Sequence, residues 1–217
     1  MGSVFVDFPR LVNNLRVEPT HIIHVGAHMG EEVQFYKEAN AGRITLVEPI
    51  PELAELLRDR YEDDDAVDVV EAACGPAPTM ATLSIMQKTN LSTLVEPQRS
   101  DQLDRVIDVS VVRLDSIQGD ANVAVIDAQG LEIEVLGAAD MSKFDLVIAE
   151  CCTREDRTIA AQYDAMVEFM ATVGFREVYK WSRDYQWINK WSRGTKARFH
   201  RGGGAVYDAA FVPGEPE

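Results

Sequence analysis

Residues 21–30, HIIHVGAHMG, constrain this chain more than any other stretch. Apolar Ile22, Ile23, Val25 and Ala27 run into Gly26 and Gly30. A helix-patterned segment, residues 31–41, follows at once, and a second apolar run, residues 44–47, ends in Glu48-Pro49. A strand, a glycine turn, a helix and an acidic residue at the tip of the next strand form the unit that binds an adenosine-type ligand. The glycines let the backbone approach the ligand, and Glu48 is placed to accept hydrogen bonds from ribose hydroxyls.

The pattern continues as alternating strands and helices. Residues 3–18 space their apolar side chains like a helix that packs on the sheet or covers the site. Strands are expected over 21–27, 43–48, 67–73, 123–127 and 144–150. Helices are expected over 31–41, 51–61, 131–139 and 159–173, the last capped by Gly174. Two further strands, 81–86 and 106–114, alternate like a sheet with one exposed face and enclose a polar loop, 88–103. Residues 175–181 and 205–212 read as two closing strands with no helix between them, so the last must pair antiparallel. The fold expected is α/β, a doubly wound, mostly parallel sheet of seven strands with helices on both faces.

With 217 residues, 46% of them hydrophobic, one domain over 1–217 accounts for the length. Within it we set apart an N-terminal helical extension (1–18), inserted strands with a substrate loop (79–118) and a basic, aromatic loop before the last strand (182–204). No apolar run approaches the roughly 20 residues of a membrane span, and no signal peptide is visible. Three cysteines, two of them adjacent at Cys151-Cys152, give no disulfide framework, so a cytoplasmic location is expected. The net charge of −15 weighs against nucleic acid and membrane partners. Residues 176–201 run the other way, with Arg176, Lys180, Arg183, Lys190, Arg193, Lys196, Arg198 and Arg201 against Glu177 and Asp184.

The glycine spacing narrows the ligand. A dinucleotide fold wants G-x-G-x-x-G, because a pyrophosphate must lie on the helix N-terminus. Here the turn reads Gly26-Ala27-His28-Met29-Gly30 and leaves less open backbone. That favours S-adenosylmethionine, which has no pyrophosphate.

Four separated pieces then carry a resemblance. HVGAHMG is similar to the D-V-G-A-N-x-G opening of the FkbM family of S-adenosylmethionine-dependent methyltransferases. LVEPIPE (46–52) resembles its E-P-x-P. VVRLDSI (111–117) followed by VAVIDAQGLEIEVLGAA (123–139) resembles its L-D and K-I-D-V-E-G-x-E-x-x-V-L-x-G-A, and AVYDAAFV its N-D-x-L-F-V. The resemblance spans about residues 20–213 and implies the class I, Rossmann-like architecture, a seven-stranded sheet whose last strand is antiparallel. The chain departs from the family at His24, Val125 and Gln129, which stand for Asp, Lys and Glu.

The resemblance implies a cofactor site built from His24, Gly26, His28, Gly30, Glu48, Pro49, Ala73, Cys74, Asp127 and Gln129. Methyl transfer to a hydroxyl needs alignment and a proton acceptor. Asp127, at the tip of the fourth core strand, is the first candidate, with Glu132 and Glu150 behind it. Glu132 could equally be a solvated residue of a helix's first turn. Asn90 and Ser92 in the polar loop, with Trp187 and His200 in the basic loop, are expected to contact the acceptor. His21, His24 and His28 do not share a strand face, so no three-histidine metal site is expected. Asp127 and Glu150 with a loop residue could hold Mg²⁺, but nothing in the sequence requires a divalent metal.

The turn Asp127-Ala128-Gln129-Gly130 lacks the Pro-Pro-aromatic that holds a flipped base in amino methyltransferases. The acceptor expected is therefore a hydroxyl on a sugar, glycan or other small molecule. Two alternatives stand beside it, a cofactor-binding protein without transfer activity and a nucleic-acid methyltransferase using the basic loop. Self-association stays open.

Overall fold

The computed structural model describes residues 7–97, 100–153, 160–182, 185–188 and 206–214. The chain runs α1 (Phe8–Leu15), β1 (His21–Val25), α2 (Val33–Glu38), β2 (Arg43–Val47), α3 (Pro51–Arg60), β3 (Val67–Val70), β4 (Ala73–Cys74) and β5 (Thr79–Met86). It continues through β6 (Leu103–Val112), α4 (Leu114–Ile117), β7 (Val123–Ile126), α5 (Glu132–Gly137), β8 (Leu146–Cys152), β9 (Ala161–Gln162) and α6 (Tyr163–Thr172). It closes with β10 (Phe175–Ser182), β11 (Tyr185–Ile188) and β12 (Val206–Pro213).

The main sheet has the order β11-β10-β12-β8-β7-β1-β2-β3, with β9 beside β8. β12 lies between β8 and β10 and runs antiparallel to both. The seven expected core strands are thus present with the last one reversed. The strands β1, β2, β7 and β8 pair parallel, residue for residue. β1 is buried along its whole length, as expected where helices cover both faces and the strand reads as a continuous apolar run. One core lies on the face holding Ile23, Ile126, Leu136 and Phe211. A second lies on the opposite face, around Ile22, Tyr36, Leu46 and Leu57.

Several boundaries differ from the sequence reading. The third strand stops at Val70, and Ala73-Cys74 leaves the main sheet to pair with β6. β4, β6 and β5 form a separate three-stranded sheet over a small core of Ile50, Leu83, Ile85, Val109 and Val111. The last helix begins at Tyr163 rather than 159, because residues 161–162 pair with β8. The basic loop contains a short strand, β11, which extends the sheet edge beyond the seven strands anticipated. α1 is capped by Asp7, whose side chain accepts from the Arg10 N–H. It packs on α2, with Phe8 edge-on to Tyr36 at 4.9 Å between ring centroids.

Chain order reverses at β1: the chain runs outward through β2 and β3, then returns to lay β7 on its other side. In open α/β sheets, ligands sit outside the carboxyl ends of the strands at such a switch point.

Candidate functional site

β1 and β7 end side by side at the switch point. The Gly26 and Ala27 N–H groups donate to the Val47 carbonyl, and the Asp127 N–H donates to the Val25 carbonyl. Gly26 has φ +80°, and a Cβ there would lie 1.9 Å from the Asp127 carbonyl oxygen. Only glycine lets the two strand ends approach so closely. A cleft opens above them, bounded by Gly26, His28, Glu48, Pro49, Asp127 and Gln129 on one side. Ile50, Ala72, Ala73, Cys74, Leu83 and Leu94 make an apolar wall on the other.

Glu48 is the anchor of the cleft. It is 4% exposed, and its two oxygens accept from the His28 N–H at 2.8 Å and the Ile50 N–H at 2.9 Å. Burial pushes its pKa up to about 7 against the pull of those two donors, and the Asp127 and Glu31 charges push the same way. Glu32 is also raised to about 7, by burial first and then by Glu31. The Asp127 and Glu31 charges beside Glu48 make this side of the cleft an acidic rim. Such a rim suits a cationic ligand and repels a pyrophosphate.

His28 sits in the left-handed region at φ +48°. Its Nδ1 lies 3.2 Å from Glu31 Oε1, and its Nε2 lies 2.8 Å from the Thr89 hydroxyl. Thr89 and Thr93 belong to the inserted loop. The Thr93 hydroxyl donates to the Gln129 carbonyl at 2.7 Å. Two hydroxyls thus fasten the insert over the cleft, one on each strand-end turn. Asn90 and Ser92 line the cleft with them. Thr93 was expected beside Asn90 and Ser92 in the polar loop; Thr89 was not singled out in the sequence, and its only signal was membership of that loop.

Beside the cleft lies a carboxylate group. Ligand oxygens of Asp127, Glu132 and Glu150 all fall within 4.8 Å of one another. The Gln129 side-chain Nε2 donates to Asp127 Oδ1 at 2.5 Å and to Glu150 Oε2 at 3.2 Å. Gln129 is 8% exposed, and its Oε1 is buried with no hydrogen-bond partner. A buried carbonyl left unpaired costs about 1–3 kcal/mol.

Glu132 is placed differently from the solvated alternative. It is 0% exposed and does not line the cleft. Oε1 accepts from the Ala128 and Gly130 N–H groups at 3.0 and 3.1 Å, and Oε2 accepts from the Ala161 N–H at 2.7 Å. Burial raises its pKa to about 8. Its reach to Ala161 explains the shortened helix, since the carboxylate ties β9 to the turn after β7.

His24 also lies away from the cleft lining. It is buried on β1, with Nδ1 3.2 Å from the Tyr36 hydroxyl, and burial lowers its pKa to about 4. It is a neutral packed side chain. Gly30 has φ +71° and packs against Leu57 and Tyr61, shaping the turn from beneath. Glu150 lies within β8, two residues before its end, next to Gln129 and without lining the cleft. Ala73 and Cys74 do line it, from β4 rather than from the third strand's tip. Burial lifts the Cys74 thiol to about 12, which leaves it inert. The Trp187 side chain and His200 lie outside the described residues. Among the described residues, no helix is long and apolar enough to cross a membrane.

Comparison with known proteins completes the picture. A family model described as "Methyltransferase FkbM domain" matches residues 24–177. No curated protein matches the chain. Solved structures match at the level of fold. A Pyrococcus horikoshii protein described as a candidate RNA methyltransferase superposes with a TM-score of 0.51 at 11% identity, over 96% of this chain and 82% of that one. A Streptococcus pneumoniae protein described as a candidate tRNA (m1A22) methyltransferase gives 0.53 at 11% identity, over 96% and 70%. A Streptococcus agalactiae protein of the NADB-Rossmann superfamily gives 0.52 at 9% identity, over 100% and 72%.

Proposed function

The chain belongs to the FkbM family of S-adenosylmethionine-dependent methyltransferases, and on that premise we propose that it methylates a hydroxyl of a sugar, glycan or other small molecule. The observation that carries this reading is Asp127, a carboxylate at the tip of β7 that borders the cofactor cleft and is steered by the Gln129 amide. S-adenosylmethionine supplies an electrophilic methyl group on a sulfonium centre. The residues present suit it. Glu48 offers carboxylate oxygens toward ribose hydroxyls, Ala72, Ala73, Cys74 and Leu83 offer an apolar wall for adenine, and the acidic rim offsets its positive charge.

With the cofactor bound, Asp127 would accept the hydroxyl proton while the methyl carbon–sulfur bond breaks, the oxygen–carbon bond forms and the neutral thioether leaves. The insert carries Thr89, Asn90, Ser92 and Thr93 across the cleft, where they exclude water and orient the acceptor. Glu132 holds the turn that carries Asp127 and Gln129 and stays out of the chemistry.

A second reading is kept for a stated reason. Two structures of like fold are described as candidate RNA methyltransferases, and residues 176–201 are rich in Arg and Lys. The net charge of −15 opposes it. A methyl-transfer assay with labelled cofactor, against sugars and nucleotide-sugars in one arm and tRNA in the other, decides between them. Label in the first arm supports the hydroxyl reading. Label confined to RNA overturns it. Tight cofactor binding with transfer to neither would leave a silent cofactor-binding protein as the better description.

A further inference from the structure

We propose that residues 88–92 of the insert form a flap that gates the cofactor cleft, with the His28 imidazole as its latch. The flap stands on two tied feet. At one, the Gln87 N–H donates to the Gln102 carbonyl at 2.9 Å, and the Met86 N–H donates to the Ser92 hydroxyl at 3.1 Å. At the other, Thr93 and Ser84 exchange backbone hydrogen bonds at 3.0 and 3.1 Å, and the Thr93 hydroxyl donates to the Gln129 carbonyl. Between the feet, no residue from 88 to 92 is buried. The short turn Thr89–Leu91 is bonded within itself: the Leu91 N–H donates to the Lys88 carbonyl and the Ser92 N–H to the Thr89 carbonyl. A segment with internal hydrogen bonds and little buried apolar surface opens as a unit at low cost. Its crest is tied to the turn after β1 by the contact of His28 Nε2 with the Thr89 hydroxyl at 2.8 Å.

His28 is suited to that contact. The opening that this chain resembles, D-V-G-A-N-x-G, has asparagine at this place, a residue that tolerates a left-handed backbone but has a shorter side chain. Histidine keeps the conformation, at φ +48°, and adds the reach to Thr89. Glu31 Oε1, 3.2 Å from Nδ1, favours the tautomer with its proton on Nδ1, which leaves Nε2 to accept from the Thr89 hydroxyl. The His28 N–H meanwhile holds Glu48. One residue thus joins the flap to the carboxylate proposed for the ribose.

Space is the second observation. With the latch made, the cleft holds about 80 Å³, whereas pockets for ligands of drug size run from roughly 300 Å³ upward. Thr89, Asn90 and Ser92 border that space from the flap, and Gly26, His28 and Asp127 border it from the strand ends. S-adenosylmethionine needs the flap raised to enter, and its demethylated product needs it raised to leave.

The gate rests on the cofactor occupying this cleft and not on the identity of the acceptor. A latch that closes the flap both before and after binding slows entry and exit alike, and leaves the equilibrium nearly unchanged. Surface plasmon resonance with S-adenosylmethionine over immobilised protein reads both rate constants. Thr89→Val removes the hydroxyl at nearly constant size. It should raise the association and dissociation rate constants together, each about three- to tenfold, the worth of one hydrogen bond, with Kd within about threefold of native. Thr89→Ser, which restores the hydroxyl, should return both rates to native. His28→Asn keeps the backbone N–H for Glu48 and should match Thr89→Val; if it does not fold, Thr89→Val decides alone. Unchanged rates in Thr89→Val would overturn the gate. So would faster dissociation with native association, the mark of a direct ligand contact. Calorimetry on Glu48→Ala reads the cleft separately. Weakened affinity there, with native rates in Thr89→Val, overturns the gate alone; unchanged affinity there removes the cofactor from the cleft and the gate with it.

Discussion

The His28 backbone N–H donates to Glu48 Oε2 over 2.8 Å, joining the glycine turn after β1 to the tip of β2. With the Ile50 N–H on the other oxygen, Glu48 is held in place at the lining of the cleft before any ligand arrives. Such preorganisation makes its removal costly for binding rather than for folding alone. Glu48→Ala should weaken S-adenosylmethionine binding by roughly ten- to a hundredfold, the worth of one or two hydrogen bonds to a charged group. Titration calorimetry reads this directly, and an unchanged Kd would remove Glu48 from the cofactor site.

The raised pKa of Glu48, about 7, gives cofactor binding a pH dependence. A hydroxyl donor and a positive charge both favour the ionised carboxylate, so affinity should be full above pH 7 and fall as Glu48 protonates below it. Binding just below pH 7 should release a proton, which appears as a buffer-dependent heat. Stability of the ligand-free protein runs the opposite way. Glu32, Glu48 and Glu132 have folded pKa values above the ordinary 4.5. Their protonated forms favour the folded state, and that contribution is complete below pH 4.5 and lost as pH rises through about 7 to 8. Thermal unfolding at pH 5 should therefore occur at a higher temperature than at pH 8.5, and saturating cofactor should narrow the gap.

Gly26→Ala tests the contact between strand ends. The new methyl would meet the Asp127 carbonyl at 1.9 Å, and the residue would have to keep φ at +80°. The conformational term alone is about 1–2 kcal/mol, and the clash forces β1 and β7 apart at the cleft. A lower unfolding midpoint in urea together with loss of cofactor binding is expected. Native affinity in this variant would mean that the strand ends are not where the cofactor binds.

Much of this arrangement was legible in the sequence because the main sheet is written in local pattern. Continuous apolar runs mark strands covered on both faces, and Gly26, Gly30, Glu48 and Asp127 stand at strand ends fixed by those runs. What the pattern did not reveal depends on long-range contacts. Ala73 and Cys74 read as the end of the third strand because both are apolar, yet their backbone pairs with β6, far along the chain. Glu132 reads as an ordinary first-turn glutamate, and only its contact with the Ala161 N–H, 29 positions on, shows why it is buried. His24 occupies a position that the resembling family gives to Asp, but its environment is set by Tyr36 from the next helix.

Glu132 should behave as a structural residue. Its oxygens accept from three backbone N–H groups, which lose that acceptor once the side chain is cut back. Glu132→Ala should destabilise the protein by about 3–5 kcal/mol, because buried backbone N–H groups that lose their acceptor cost about 1–3 kcal/mol each. For a chain of this size that lowers the melting temperature by roughly 6–20 °C. Native stability with lost turnover would instead return Glu132 to the chemistry.

Asp127→Asn separates acceptor chemistry from cofactor binding. Asparagine preserves the side chain's size and still offers Oδ1 to the Gln129 amide, which donates to that atom in the native protein. The change therefore removes the charge and proton-accepting capacity while leaving the cleft's shape intact. If Asp127 takes the proton from the acceptor hydroxyl, kcat should fall by about 10²–10⁴ while the Kd for S-adenosylmethionine changes less than about tenfold. Equal losses in kcat and cofactor affinity would make Asp127 a cofactor ligand and move the search for the base to another residue of the cleft.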